Sequence, residues 1–347
     1  MGSVSTEPLR IAMIGCGAVA ERGHLPAVAK SDSCTISVLV DPNKDRTEEL
    51  AAKFEVENVS AGYDEVAEVA DAAILALPHN LHAKAATYLL ERGVHVLVEK
   101  PMATTLAECK EMVTIAERNS RVLAVGHMKR FLHNAALAKW VVESDMLGSI
   151  TRFDFQEGNV YNWPVQSAFF FKKEAAGGGV LFDAGAHVID LMLWWFGEVK
   201  SLEYRDDAFG GVEADCQLTV ETDSGIVGAI ELSRTRNLRN TAIIQGERAT
   251  LEVDLRKNWA VIHSPNGTVG LNGMGADPGT LEANSQGFDD LFDAQIEDFV
   301  DSIRDSRSPT ATGADATRTV ELIERCYRER RPLELPWLRS LKELASV

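Results

Sequence analysis

Cysteine is scarce in this chain: five in 347 residues, an odd number, at Cys16, Cys34, Cys109, Cys216 and Cys326, with no Cys-x-x-Cys pair. That spacing argues against a disulfide framework and suits reduced thiols in a cytoplasm. Long apolar runs are missing as well. No stretch of about eighteen apolar residues occurs, and the start of the chain lacks the basic, apolar, small-residue order of a signal peptide, so a soluble protein with no membrane partner is expected. Positive charge is in short supply: 35 Lys and Arg face 52 Asp and Glu, a net charge of −17. Such a surface repels phosphate backbones, and no nucleic-acid partner is expected. The remaining composition, 45% hydrophobic and 25% charged, is that of an ordinary globular chain. At roughly 150 residues per domain its length implies two domains.

Two patterns divide the chain. Over residues 9–127, short apolar runs (9–14, 36–40, 72–77, 94–98, 122–125) alternate with stretches of helical periodicity such as 81–91 and 105–118. That is the grammar of a parallel sheet covered on both faces, and it predicts a Rossmann-type dinucleotide-binding domain over residues 1–128. Residues 129–347 read as an α+β domain. A long helix is expected over 180–196, then strands at 199–204, 216–221, 226–232, 241–245, 250–253 and 260–263 in a mostly antiparallel open sheet. Residues 264–286, rich in Gly, Asn and Pro, predict a surface loop. Helices close the chain over about 288–330, the first with Phe288, Leu291, Phe292, Ile296, Phe299, Val300 and Ile303 on one face.

The first predicted strand runs into Gly15-Cys16-Gly17-Ala18-Val19-Ala20, a Gly-x-Gly-x-x-Ala turn opening a helix. Gly15 allows the tight turn, Gly17 lets backbone approach a pyrophosphate, and Ala20 permits close helix packing. Asp41 follows twenty-one residues after Ala20, at the end of the second strand. A carboxylate there accepts hydrogen bonds from the adenosine ribose and repels a 2′-phosphate, so NAD(H) is the expected cofactor. Three more segments stand out: Pro78-His79-Asn80-Leu81-His82, Glu99-Lys100-Pro101, and the run from Gly177-Gly178-Gly179 through Asp183 and His187 to Asp190.

In this order and spacing the chain resembles the family of glucose-fructose oxidoreductase, inositol dehydrogenase and MocA, from Arg10 to about Pro336. The resemblance implies hydride transfer between a nicotinamide and a secondary hydroxyl or ketone of a sugar, cyclitol or sugar derivative. It implies catalytic roles for Lys100, Asp183 and His187 and cofactor contacts from Leu77, Pro78, His79, His82, Glu99 and Lys100. Substrate contacts would come from Tyr161 and Trp163 beside the catalytic three. No metal is implied, and pairing through the second sheet into a homodimer or homotetramer is. Non-catalytic, NAD-binding sugar sensors share this architecture and are the alternative. The sequence departs from the family at His79, where asparagine is usual, and at Gly126-His127-Met128-Lys129-Arg130-Phe131, a variant of Gly-Phe-x-x-Arg-Phe.

The residue types match that chemistry. Oxidising a secondary alcohol requires a base for the hydroxyl proton and a cation for the developing alkoxide, which His187 and Lys100 can supply. On a helix over 180–196, Asp183, His187 and Asp190 fall on one face, an arrangement that also raises metal binding as a rival use. Lys172, Lys173, Arg234, Arg236 and Arg239 are the basic clusters of an acidic chain, either a site for a substrate phosphate or solvated strand ends.

Overall fold

The computed structural model describes residues 7–164, 168–209, 211–257, 259–271 and 287–334. Its first sheet is built from β1 (Leu9–Ile14), β2 (Cys34–Val40), β3 (Val59–Ser60), β4 (Ala72–Leu75), β5 (His95–Val98) and β6 (Leu123–Val125). All pairings in it are parallel, in the order β3-β2-β1-β4-β5-β6. β4 buries all four side chains because helices cover both faces, the setting in which parallel strands read as unbroken apolar runs. The strand order reverses between β1 and β4, which opens a crevice at the carboxyl ends of the strands, where ligands of such sheets bind.

The second sheet contains β7 (Ile150–Gly158), β8 (Val199–Asp206), β9 (Asp215–Thr222), β10 (Val227–Ser233), β11 (Thr241–Gly246), β12 (Thr250–Asp254), β13 (Ala260–Ser264), β14 (Gly267–Leu271) and β15 (Arg331–Pro332). Their order is β14-β13-β12-β11-β7-β10-β9-β8-β15, antiparallel except for β7 with β10 and β8 with β15. Alternation sets the two faces. Phe153 and Phe155 of β7, Leu218 and Val220 of β9, and Ile230 and Leu232 of β10 point inward into one core with the helix Ala184–Phe196. Phe153 stacks on Phe196 with ring centroids 4.5 Å apart. Arg152, Gln217 and Thr219 face outward and are exposed.

Two expectations need correcting. The long helix starts at Ala184 rather than near 180, because the residues before it are wound around Glu213. One Glu213 carboxylate oxygen accepts from the Gly179 and Leu181 amides, both at 3.0 Å, and its main-chain carbonyl accepts from Val180. Those amides are thereby held in a turn. The predicted loop 264–286 begins instead with a hairpin, since Gly267–Leu271 pairs with β13; residues 272–286 lie outside the described residues. The C-terminal helices tie the two sheets together. Leu25 and β1 share a core with Phe292, Ile296, Phe299 and Val300 of the helix Phe288–Arg304. The helix Gly313–Arg328 packs on both Leu106–Arg118 and Ala184–Phe196.

Candidate active site

A cavity of about 690 Å³ follows the carboxyl ends of β1, β2, β4 and β5 and continues under the second sheet. At its first end lies the glycine turn. Gly15 has φ +92°, and a Cβ there would stand 2.3 Å from the Ala76 carbonyl oxygen, so only glycine fits. A Cβ on Gly17 would meet nothing within 4 Å, which leaves room for a pyrophosphate beside the turn. Ala18 and Val19 line the cavity too, whereas Ala20 is fully buried behind them. Asp41 is fixed by two amides: Oδ2 accepts from Cys16 at 2.9 Å and Oδ1 from Asn43 at 2.8 Å. Arg46 is near, but its guanidinium is engaged by Glu21, Glu49 and the Cys16 carbonyl. The donor and acceptor set at this end fits a dinucleotide whose ribose hydroxyls meet Asp41.

Leu77, Pro78, His79, His82 and Glu99 form the middle of the cavity. His79 begins the helix His79–Glu91 and sets Nδ1 2.8 Å from the Ala176 carbonyl, against Phe169. Burial and the neighbouring His82 push its pKa down to about 3, so the ring is neutral and Nδ1 is the donor. The His82 ring spans the carbonyls of Leu77 and Pro101, both at 2.9 Å. Burial lowers its pKa while both carbonyls oppose that, and the ring braces the two loops that follow β4 and β5. Glu99 accepts from His24 at 2.8 Å and from the Lys100 amide at 3.1 Å. Burial raises its pKa, but His24 and Lys100 outweigh that and hold it below the usual range.

Lys100, Asp183 and His187 converge at the second end. The Lys100–Pro101 peptide bond is cis. Lys100 Nζ donates to Asp183 Oδ1 at 2.6 Å and to the Asp183 carbonyl at 3.2 Å. Asp183 is not on the helix with His187. It is the residue that precedes it, with φ −93° and ψ −86° and no side-chain capping bond. Its second oxygen instead accepts from Arg234 at 2.6 Å. Burial works against the charged carboxylate, yet the two cations hold its pKa far below normal. His187 lies on the first turn of the helix, and its Nδ1 is buried with no partner among the described residues. Burial first, then Lys100, Lys129 and His127, keep its pKa well below 6.5 against a smaller opposing pull from Asp183.

Asp190 does not join the site. Both its oxygens are taken by Arg130, each at 2.8 Å, so the expected single face of Asp183, His187 and Asp190 is not formed. Among the described residues no group of three His, Cys, Asp or Glu is placed to hold a metal ion. The basic clusters also separate. Arg234 enters the cavity, Arg236 pairs with Asp215 and Glu231, and Arg239 pairs with Asp154 on the outer sheet face. Tyr161 and Trp163 line the cavity mouth; the first lies under the Arg234 guanidinium at 5.2 Å and the second under Arg22 at 5.7 Å. Sequence reasoning missed His24, the buried Lys129–Glu157 ion pair and Arg256, all brought in by tertiary contact.

The description of one protein family, an oxidoreductase family with an NAD-binding Rossmann fold, matches residues 9–127, and that of its C-terminal alpha/beta domain matches residues 139–335. The chain belongs to this oxidoreductase family. D-glucoside 3-dehydrogenase of Escherichia coli (strain K12) is 28% identical over 66% of this chain and 68% of its own length. The scyllo-inositol 2-dehydrogenase (NAD(+)) of Bacillus subtilis (strain 168) is 25% identical over 94% of this chain and 96% of its own. A solved levoglucosan dehydrogenase, in complex with NADH and levoglucosan, superposes with a TM-score of 0.82 at 22% identity, covering 93% of this chain and 98% of that one, which speaks for the fold. NAD is the cofactor of this oxidoreductase.

Proposed function

We propose that this NAD-dependent oxidoreductase is a dehydrogenase that moves a hydride between the nicotinamide and a secondary hydroxyl or ketone of a sugar, cyclitol or sugar derivative. The observation that carries the reading is the convergence of Lys100, Asp183 and His187 in the cavity that also holds the glycine turn. Relatives named for glucosides and inositol act on polyhydroxylated rings, which supports the substrate class. When bound, NAD supplies the hydride acceptor. His187 takes the hydroxyl proton on Nε2, a task for which its depressed pKa keeps it neutral. Lys100, which has given two of its N–H donors to Asp183, directs the third at the oxygen on which negative charge grows. Asp183, clamped between Lys100 and Arg234, fixes the ammonium and accepts from a neighbouring hydroxyl. Tyr161 and Trp163 form an apolar wall for a ring face.

Oxidation of a panel of cyclitols, free sugars and sugar derivatives, followed through the absorbance of NADH, tests the reading; no turnover with any of them contradicts it. The His187 assignment has a pH signature. Because burial, Lys100, Lys129 and His127 lower its pKa and only Asp183 opposes them, the base stays unprotonated well below 6.5. kcat/KM for oxidation should therefore hold level from neutral pH down through 6.5, with the acid limb beneath it. A half-maximal point at 6.5 would mean an unperturbed histidine.

Asp41 gives the cofactor preference. A 2′-phosphate would have to face its fixed carboxylate, so NADP(H) should bind at least about tenfold more weakly than NAD(H). Equal dissociation constants would overturn this. We further propose a cytoplasmic homodimer or homotetramer. Five buried free thiols support the compartment, and the outer face of the second sheet, open at Arg152, Gln217 and Thr219, leaves a surface on which a second copy can pair. Sedimentation that finds only a monomer at micromolar concentration would contradict the assembly.

A further inference from the structure

The half of the cavity that meets the substrate is built on two carboxylates, each held between two cations. Asp183 lies between Lys100 and Arg234. Glu157, at the end of β7, lies between Lys129, its ion-pair partner, and Arg256, whose guanidinium stands 3.9 Å from it and also donates to Asn159. Four cations against two carboxylates leave this wall positive in a chain whose net charge is −17. Even with Glu99 counted, whose oxygens are turned to His24 and to the Lys100 amide, cations outnumber carboxylates around the reacting centre.

Lys129 sharpens the point. It is only 7% exposed, and among the described residues Glu157 is the one acceptor bonded to its ammonium. A buried ammonium lacking acceptors is costly, so the remaining donors call for oxygens brought in from the cavity. Burial lowers its pKa, Glu157 opposes that, and Arg256 and Lys100 push it further down, so the cations repel one another across the same space. An anion placed there relieves all of them at once.

Resting on the dehydrogenase reading, we propose that the substrate carries an anionic oxyacid group, a carboxylate or a phosphate, and that Lys129 and Arg256 form the subsite that takes it. Glu157 holds the two cations in register, and the planar Arg256 fork suits paired oxygens. The subsite opens into the same cavity as Lys100 and His187.

The test is binding rather than turnover. NADH-loaded protein is titrated calorimetrically with D-glucuronate, D-galacturonate, D-gluconate and glucose-6-phosphate, and with the neutral D-glucose, D-galactose and D-glucitol. At least one acid should bind about tenfold more tightly than its neutral counterpart, with a gap that narrows as salt is added. Arg256→Gln should remove most of that gap while NADH affinity, the check on folding, stays the same. A winning uronate or gluconate identifies the group as a carboxylate, and a winning sugar phosphate as a phosphate. Neutral ligands binding as tightly as the acids, no acid binding at millimolar concentration, or a gap that survives Arg256→Gln each overturns the subsite. A protein that binds the acids but, loaded with NAD+ in place of NADH, never reduces it leaves the subsite standing and sinks the dehydrogenase reading. One that oxidises neutral sugars and refuses the acids does the reverse.

Discussion

Lys100→Ala and His187→Ala should each lower kcat by about a hundredfold to a thousandfold, the usual cost of removing one group that acts on transition-state charge. NADH affinity, read by fluorescence titration, should stay within about twofold, because both side chains act on the reacting oxygen and its proton. The geometry ranks the third residue. Asp183→Asn keeps an acceptor for Lys100 but removes the charge that Lys100 and Arg234 share, so its turnover should fall between wild type and the two alanine variants. Near wild-type turnover in both Lys100→Ala and His187→Ala would mean that other groups move the proton.

Gly179→Ala should be the most damaging of the small substitutions to stability. A Cβ there would lie 2.0 Å from the Glu213 carbonyl oxygen and 2.5 Å from its nitrogen, and main chain cannot step aside as a flexible side chain can. Overpacking of this kind costs about 3 kcal/mol, a loss of about 4 °C in Tm for a chain of this size. Activity should fall with it, since Glu213 and this turn decide where the helix begins and so where Asp183 points. Gly270→Ala is the matched control, because a Cβ there meets nothing within 4 Å, and its Tm should barely move. A Gly179→Ala protein as stable as wild type would mean that the turn is not anchored on Glu213.

Local pattern made much of this legible. The β1 turn, Asp41 and Glu99-Lys100-Pro101 each follow a strand that an apolar run announces, and strand ends of a parallel sheet share one edge whatever the loops do. Helical periodicity, by contrast, overran the start of the helix that carries His187. Nothing local distinguishes Val180–Asp183 from helix, and the carboxylate that turns them aside comes from Glu213, thirty-odd residues away in sequence. The charge pairs escaped for the same reason. His24 and Glu99 are 75 residues apart, Arg130 and Asp190 are 60, and Lys129 and Glu157 are 28. A single sequence records that these charges exist but not which of them meet. The basic clusters show the reverse error, since Arg234, Arg236 and Arg239 are near neighbours in sequence yet serve the cavity, Asp215 and the outer sheet face respectively.

The most direct measurement is a single turnover. NAD+-loaded protein in excess is mixed rapidly with each of the sugars and sugar acids, and the absorbance of the reduced nicotinamide is followed. The account predicts that a ligand which binds also raises that absorbance, and that Lys100→Ala and His187→Ala bind the same ligand but raise it far more slowly. A ligand that binds at this cavity and leaves the nicotinamide oxidised in the wild-type protein would contradict it, and would make the chain a sensor that holds its cofactor without using it.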